Sequence, residues 1–314
     1  MIHLDNVAKE YGGWLARARG RRVRALDGVS LHVPPDTVLG IVGPNGAGKS
    51  TLIKLLLGYL RPSAGTLRVD GLAPRAYAQR RGIAYVPELP TIPPSWTVDH
   101  AMRVFASLGE LEEPAPMIAA ALDRVGLKDV TGRRVGALSK GMMQRLAIAQ
   151  ALLGERALMV LDEPTSGLDP EWIAELRAIV AEWRGRAAGR VALIASHDLN
   201  ELERTADRVA VLEAGRVREV IDLRAPEAAF PAYRLEVEST AGAGEAVHAC
   251  FPGAVAEEGS PLAFRVQVSD AEDLNRRVAA LLARGVAVRA LAPERPSLEQ
   301  RFRDIRGRGK PGRP

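Results

Sequence analysis

Residues 43–51 read Gly43-Pro44-Asn45-Gly46-Ala47-Gly48-Lys49-Ser50-Thr51, and the chemistry open to that set is holding a polyphosphate. The glycines let the backbone turn tightly enough for several N–H groups to point into one hollow. Lys49 is then placed to reach the β- and γ-phosphates, and the Ser50 hydroxyl to hold Mg²⁺. Further on, Asp162-Glu163 puts two carboxylates side by side after the apolar run Ala157-Leu158-Met159-Val160-Leu161. Two such charges at the end of a buried strand are costly unless something positive meets them. A Mg²⁺ held by Ser50 and sensed by Asp162 supplies that, leaving Glu163 to orient or deprotonate water. Ser196-His197-Asp198 likewise follows an apolar run, Val191 to Ala195, so His197 is expected at the γ-phosphate, with a structural histidine as the plain alternative. Glu88 follows Gly82-Ile83-Ala84-Tyr85-Val86-Pro87, again at a strand end. Tyr11 is the aromatic expected to stack on a purine, with Trp14 as its rival.

Each of these residues needs an element to aim it. Val38 to Val42 reads as a strand and the run beginning at Leu52 as a helix, giving strand, phosphate loop and helix, with the helix dipole adding to the pull on anions. Ile2 to Val7 looks like an edge strand, Leu26 to Val33 an alternating strand, and Thr66 to Gly71 a strand and turn. From Thr97 to Gly126 the pattern is helical, with Val98, Met102, Phe105 and Leu108 on one face and a second helix opening at Pro114. Ser139 is a plausible N-cap for a helix through Leu153, whose start is a second anion-friendly position. Glu171 to Arg184 is a helix expected to bury Ile173, Leu176, Val180 and Trp183. Strands Val209 to Leu212 and Arg216 to Val220 close the first domain.

A chain of 314 residues exceeds a single core and suggests two domains. With 47% hydrophobic and 26% charged residues it is not a disordered sequence. The lone Cys250 excludes a disulfide framework or a cysteine metal cluster and suits a reducing cytosol. No leader is read at Met1 to Asp5, and no apolar run nears the ~18 residues of a membrane helix, so action on a membrane would need another chain to span it. The net charge of +5 is carried largely by arginines at 17–24 and in the tail at 306–310. These runs read as solvated loops, with contact to anionic lipid or nucleic acid as the other reading.

Together these motifs, in this order, resemble the ATP-binding subunit of an ABC transporter over about residues 1 to 223. The Walker A loop is GPNGAGKST (43–51), the signature LSKGMMQR (138–145), the Walker B strand ALMVLDEP (157–164), the D-loop Ser166-Gly167-Leu168-Asp169, and the switch histidine His197. The resemblance implies an α/β P-loop fold, with a mixed sheet core and a helical subdomain at about 95–155. It implies ATP and Mg²⁺ as cofactors, Ser50, Asp162 and Glu88 as metal contacts, and Glu163 as general base. It also implies a dimer in which Ser139, Lys140, Gly141 and Met142 of one subunit cover the ATP of the other. Three positions depart from the usual pattern: Lys140 in the glycine pair, Met142 for glutamine, and Glu88 for glutamine. These variants look like those of type 2 ABC exporters, whose members move drugs, antibiotics, lipids, polysaccharides or sodium. The implied partner is a separate polytopic permease met through about residues 89 to 108, with the chain peripheral on the cytoplasmic face of the membrane.

Residues 226–305 read as β-α-β-β-α-β, a small α+β ferredoxin-like domain, ahead of a basic tail at 306–314. Its second helix, Ala271 to Arg284, is expected to turn Leu274, Val278, Leu281 and Leu282 inward. No catalytic set is visible there, so it reads as a dimer-contact or regulatory module. The rival function is a soluble ATP-driven switch on ribosomes or nucleic acid. A single ATPase module, with no long coiled coil between its motifs, weighs against that and against nucleic acid as a partner.

Overall fold

The phosphate loop lies where a fully buried strand gives way to a helix. The computed structural model describes residues 1–12, 23–224, 232–239, 242–257, 260–293 and 297–308. The chain divides into two compact units, one of Met1–Arg224 with Phe302–Pro314 and one of Ala225–Arg301.

In the first unit, β3 (Val38–Val42) is buried at all five residues. Such an uninterrupted apolar run suits a strand covered on both faces. It belongs to a six-stranded sheet with β5 (Ala84–Val86), β6 (Leu158–Asp162), β7 (Val191–Ala195), β8 (Arg208–Glu213) and β9 (Arg216–Asp222), in the order β5-β6-β7-β3-β8-β9. All but β9 run parallel. Their C-terminal ends therefore open on one side, which is where ligands bind in open α/β sheets.

A second, antiparallel sheet is ordered β2 (Val23–Val33), β1 (Ile2–Tyr11), β4 (Ala64–Val69). The first strand, expected at an edge, is thus the middle one: Ile2 pairs with Val33 on one side and Val69 on the other. Burial of Ile2 and Leu4, and of Val7 past a bulge, marks the buried face but not which backbone edges are taken.

The helix after the phosphate loop, α1 (Lys49–Leu56), begins three residues before Leu52, so Lys49 and Ser50 already lie in its first turn. Its N-cap, Gly48, carries no side chain to satisfy the first N–H groups, which leaves them to an anion. Next come α2 (Pro74–Arg81), α3 (Val98–Leu108), α4 (Pro114–Arg124) and α5 (Lys140–Ala151). In α3 the buried stripe is Val98, Ala101, Met102 and Ala106. Leu108, expected inside, is 77% exposed; in the last turn, at the flank of that stripe, it edges a groove instead. In α6 (Pro170–Gly185) Leu176, Ile179, Val180 and Trp183 are buried and Ile173 only half so. A short α7 (Leu199–Thr205) precedes β8.

The second unit holds β10 (Ala232–Val237), α8 (Ala243–Cys250), β11 (Val255–Glu257), β12 (Ser260–Gln267), α9 (Ala271–Ala283) and β13 (Val288–Pro293). Its sheet is ordered β11-β12-β10-β13, with every neighbouring pair antiparallel. Tyr233, Leu235, Phe251, Phe264 and Leu281 form its core. Leu282, expected inward, is 52% exposed, while Asp273 is buried on the same helix. The burial is tolerated because Arg277 Nε donates to both Asp273 oxygens at 2.9 and 2.8 Å, with Arg276 adding a further bond. After β13, α10 (Leu298–Arg308) opens with a reciprocal cap: Gln300 N donates to Ser297 Oγ, and Ser297 N to Gln300 Oε1.

Candidate functional site

An open cleft of about 690 Å³ lies at the C-terminal ends of the parallel strands. It is lined by Tyr11, Val23, Arg24, Ala25, residues 43–51, Glu88, Asp162, Glu163, Ser166 and His197. Strand β3 delivers the loop, β5 delivers Glu88, β6 delivers Asp162 and Glu163, and β7 delivers His197.

Two glycines are demanded by the loop's packing. A Cβ on Gly43 would lie 2.1 Å from the Leu212 carbonyl oxygen, and one on Gly48, at φ +110°, would lie 2.5 Å from that of Ala25. Lys49 arches over the loop, its Nζ donating to the Gly43 carbonyl at 2.6 Å. The ammonium is therefore held at the mouth of the hollow that the loop's amides frame.

Opposite lie the carboxylates. Burial pushes the Asp162 carboxyl up to about 6, repulsion from Glu88 and then Glu163 adds to it, and Lys49 and Lys54 offset part. This cluster is short of positive charge. Together with the Ser50 hydroxyl these oxygens make the hard donor set that a Mg²⁺ ion prefers.

Glu163 has φ +46°, and its own N–H donates to the Ala195 carbonyl at 2.8 Å, tying the end of β6 to that of β7. The turn aims its side chain at His197, whose Nδ1 lies 2.7 Å from Glu163 Oε2 and whose backbone N–H donates to the same oxygen at 3.3 Å. An ionised carboxylate can only accept, so Nδ1 carries the hydrogen. The imidazole is 77% exposed and its partner 13%, so the histidine reaches the carboxylate from the solvent side. Tyr11, at the far end of β1, lies within 3.3 Å of Thr51 Oγ1 through its hydroxyl, while the residue as a whole stays 39% exposed. Trp14 and residues 17–22 fall outside the described residues.

Ser139, Lys140, Gly141, Met142 and Asp169 do not line this cleft. Ser139 Oγ caps α5, accepting from Met142 N at 3.2 Å, and Asp169 caps α6, accepting from Trp172 N at 2.9 Å. Lys140 Nζ donates to Ser166 Oγ at 3.0 Å. The buried Gln144 amide donates to the Pro164 carbonyl at 3.2 Å.

Sequence reasoning missed four lining residues, Val23, Arg24, Ala25 and Ser166. Arg24 ends the basic run read as a solvated loop, but is fastened beside the cleft by ion pairs to Glu10 and Asp27. Ser166, quoted only as the start of a loop motif, forms cleft wall; its place three residues after Glu163 was the available signal.

The profile of the family described as ABC transporter matches residues 26–166. The chain is 34% identical over 254 residues to the Nod factor export ATP-binding protein I of Burkholderia thailandensis, covering 78% of each. It is 36% identical over 227 residues to the protein of the same name from Rhizobium meliloti, covering 68% of this chain and 62% of that one. Among solved structures, an ATP-binding subunit of an ABC transporter aligns with a TM-score of 0.62 at 29% identity, over 71% of this chain and 90% of that one. A dimeric ATP-binding cassette in a post-hydrolysis state with ADP and Pi aligns with a TM-score of 0.65 at 23% identity, over 72% and 100%, a likeness of fold.

Proposed function

The chain belongs to the family of ABC transporter ATP-binding proteins, and from that premise we propose that it hydrolyses ATP to drive export through a separate membrane subunit. The observation that carries this reading is the convergence of the phosphate loop, Asp162, Glu163 and His197 on one cleft. Backbone N–H groups of the loop around Gly46 and Gly48, with Lys49 and the start of α1, bind and orient the triphosphate. The ring of Tyr11 stacks on the base. Glu163, held by His197, takes a proton from the attacking water. When bound, Mg²⁺ held by Ser50 and Asp162, with Glu88 beside them, neutralises charge on the phosphate oxygens. The direction of transport follows the names of the relatives, which are export proteins.

Two features support the partners. Ser139 and Gly141, at a capped helix start, do not line their own cleft, which fits their closing on the nucleotide of a second copy. A groove of about 340 Å³, edged by Tyr59, Tyr85, Phe105, Leu108 and Arg156, offers exposed apolar surface near the segment after Glu88, suited to a loop of a membrane protein. Among the described residues no helix is long and apolar enough to cross a membrane. On this reading the chain sits at the cytoplasmic face, held by the permease, and the second unit serves as a dimer-contact or regulatory module.

Tagged chain recovered from detergent-solubilised membranes and examined by mass spectrometry tests this. A stoichiometric polytopic membrane protein is the expected companion. Recovery with ribosomes or nucleic acid from the soluble fraction would overturn the transport reading in favour of an ATP-driven switch.

A further inference from the structure

The start of α5 is fastened to the segment that follows Glu163 by two hydrogen bonds, and the two backbones approach closely at a third point. Gln144 donates to the Pro164 carbonyl, Lys140 donates to the Ser166 hydroxyl, and the Gly141 Cβ position lies 3.0 Å from the Gly167 carbonyl oxygen. The lysine contact goes beyond its ammonium. A Cβ on Gly167, at φ +82°, would lie 2.7 Å from Lys140 Cδ and 2.9 Å from its Cε, so the lysine stem runs across the bare glycine. A cation is out of place at a helix start, where the dipole is positive. Its position there, turned to its own chain, calls for a local role.

We propose that Lys140 is a positioning residue, a latch holding Ser166 and so the wall of its own nucleotide cleft in register with the start of α5. Ser166 lines the cleft, and it follows Glu163 so closely that Ser166 N donates to the Glu163 carbonyl at 3.1 Å. On the paired reading proposed above, on which this inference rests, the start of α5 serves the partner's nucleotide. One short link then joins both nucleotide sites through a single chain. Closure at one site pulls on the loop behind the catalytic carboxylate of the other.

The test compares the full-length chain with Lys140→Met, Ser166→Ala and the double variant. Methionine keeps most of the apolar stem and removes the ammonium. In nucleotide-free protein, hydrogen–deuterium exchange at residues 164–168 is expected to quicken about threefold or more in each single variant, with no further gain in the double. In ATP hydrolysis, kcat should fall about three- to tenfold with KM for ATP changing less than about twofold, and Lys140→Arg should restore most of it. Unchanged exchange in Lys140→Met overturns the latch whether or not the protein hydrolyses ATP. Effects that multiply in the double variant also overturn it, since Lys140 would then act on an incoming phosphate. Absence of hydrolysis in the unaltered chain would sink the ATPase reading instead, and the exchange result would still decide the latch.

Discussion

His197 Nδ1 lies 2.7 Å from Glu163 Oε2, and the two residues come from the ends of adjacent parallel strands. The pairing of Leu161 with Ile194 and of Asp162 with Ala195 sets their register. A slip of one residue in either strand would separate them.

That geometry separates two roles. Glu163→Gln should abolish turnover while leaving nucleotide binding intact, so an ATP-bound dimer accumulates; gel filtration with ATP checks this. His197→Ala removes only the orienting partner. It should lower kcat by about 10²-fold with ATP affinity little changed, read from steady-state kinetics beside fluorescent-nucleotide binding. Normal hydrolysis by Glu163→Gln would remove Glu163 from the chemistry.

Asp162 should make the nucleotide-free protein less stable as pH rises. Its pKa is raised from 3.8 to about 6, so between those values the folded state binds more protons than the unfolded one. The favourable contribution is full below pH 3.8 and lost as pH passes about 6. The full difference amounts to about 2–3 kcal/mol. Thermal melts from pH 4 to 8 should show the decline, and Asp162→Asn should flatten it. A slope unchanged in Asp162→Asn would show that another group carries it.

Glu88 is the leading charged neighbour behind that shift. Replacing it with glutamine removes one negative charge from the cluster. The pH slope should become shallower, and the Mg²⁺ concentration giving half-maximal nucleotide binding should rise by a few fold, roughly 1 kcal/mol or less. Mg²⁺ titration of fluorescent-nucleotide binding measures it; identical titrations would mean Glu88 does not face the ion.

Gly43→Ala tests the loop's packing apart from its chemistry. With the added carbon 2.1 Å from the Leu212 oxygen, backbone must move. The expected cost is about 2–3 kcal/mol, or roughly 5–10 °C in Tm for a unit of this size. Gly46→Ala is the contrast, since nothing lies within 4 Å of its Cβ position and only its φ of +80° is strained.

The sequence made some of this architecture legible and hid the rest for physical reasons. Apolar runs ending in charged or glycine residues mark buried strands and what they deliver, so the grouping of residues 43–51, Glu88, Asp162, Glu163 and His197 could be read directly. The central place of β1 could not, because a strand's two backbone edges leave no mark in its side chains. Leu108 and Leu282 fit a helical stripe by spacing, yet each lies in the last turn, where the packed surface runs out. The Lys140–Ser166 contact was hidden because the two positions meet only when separate elements pack. Arg24 was hidden because a run of arginines gives no sign of which one finds carboxylates.

Tyr11 offers a prediction that separates ring from hydroxyl. Its hydroxyl lies 3.3 Å from Thr51 Oγ1, too long to add much, while the residue is 39% exposed at the cleft and its ring has the Lys9 ammonium 5.7 Å from its centroid. Stacking on a base needs only the ring. Tyr11→Phe should therefore bind ATP within about twofold of the unaltered chain, and Tyr11→Ala about three- to tenfold more weakly, as the ~0.5–1.5 kcal/mol of an aromatic pair implies. Every base has a π-face, so Tyr11→Ala should weaken GTP by a similar factor. Isothermal titration with both nucleotides gives the ratios. If Tyr11→Ala binds ATP as well as the parent does, the stacking role passes to Trp14, the next aromatic along the chain.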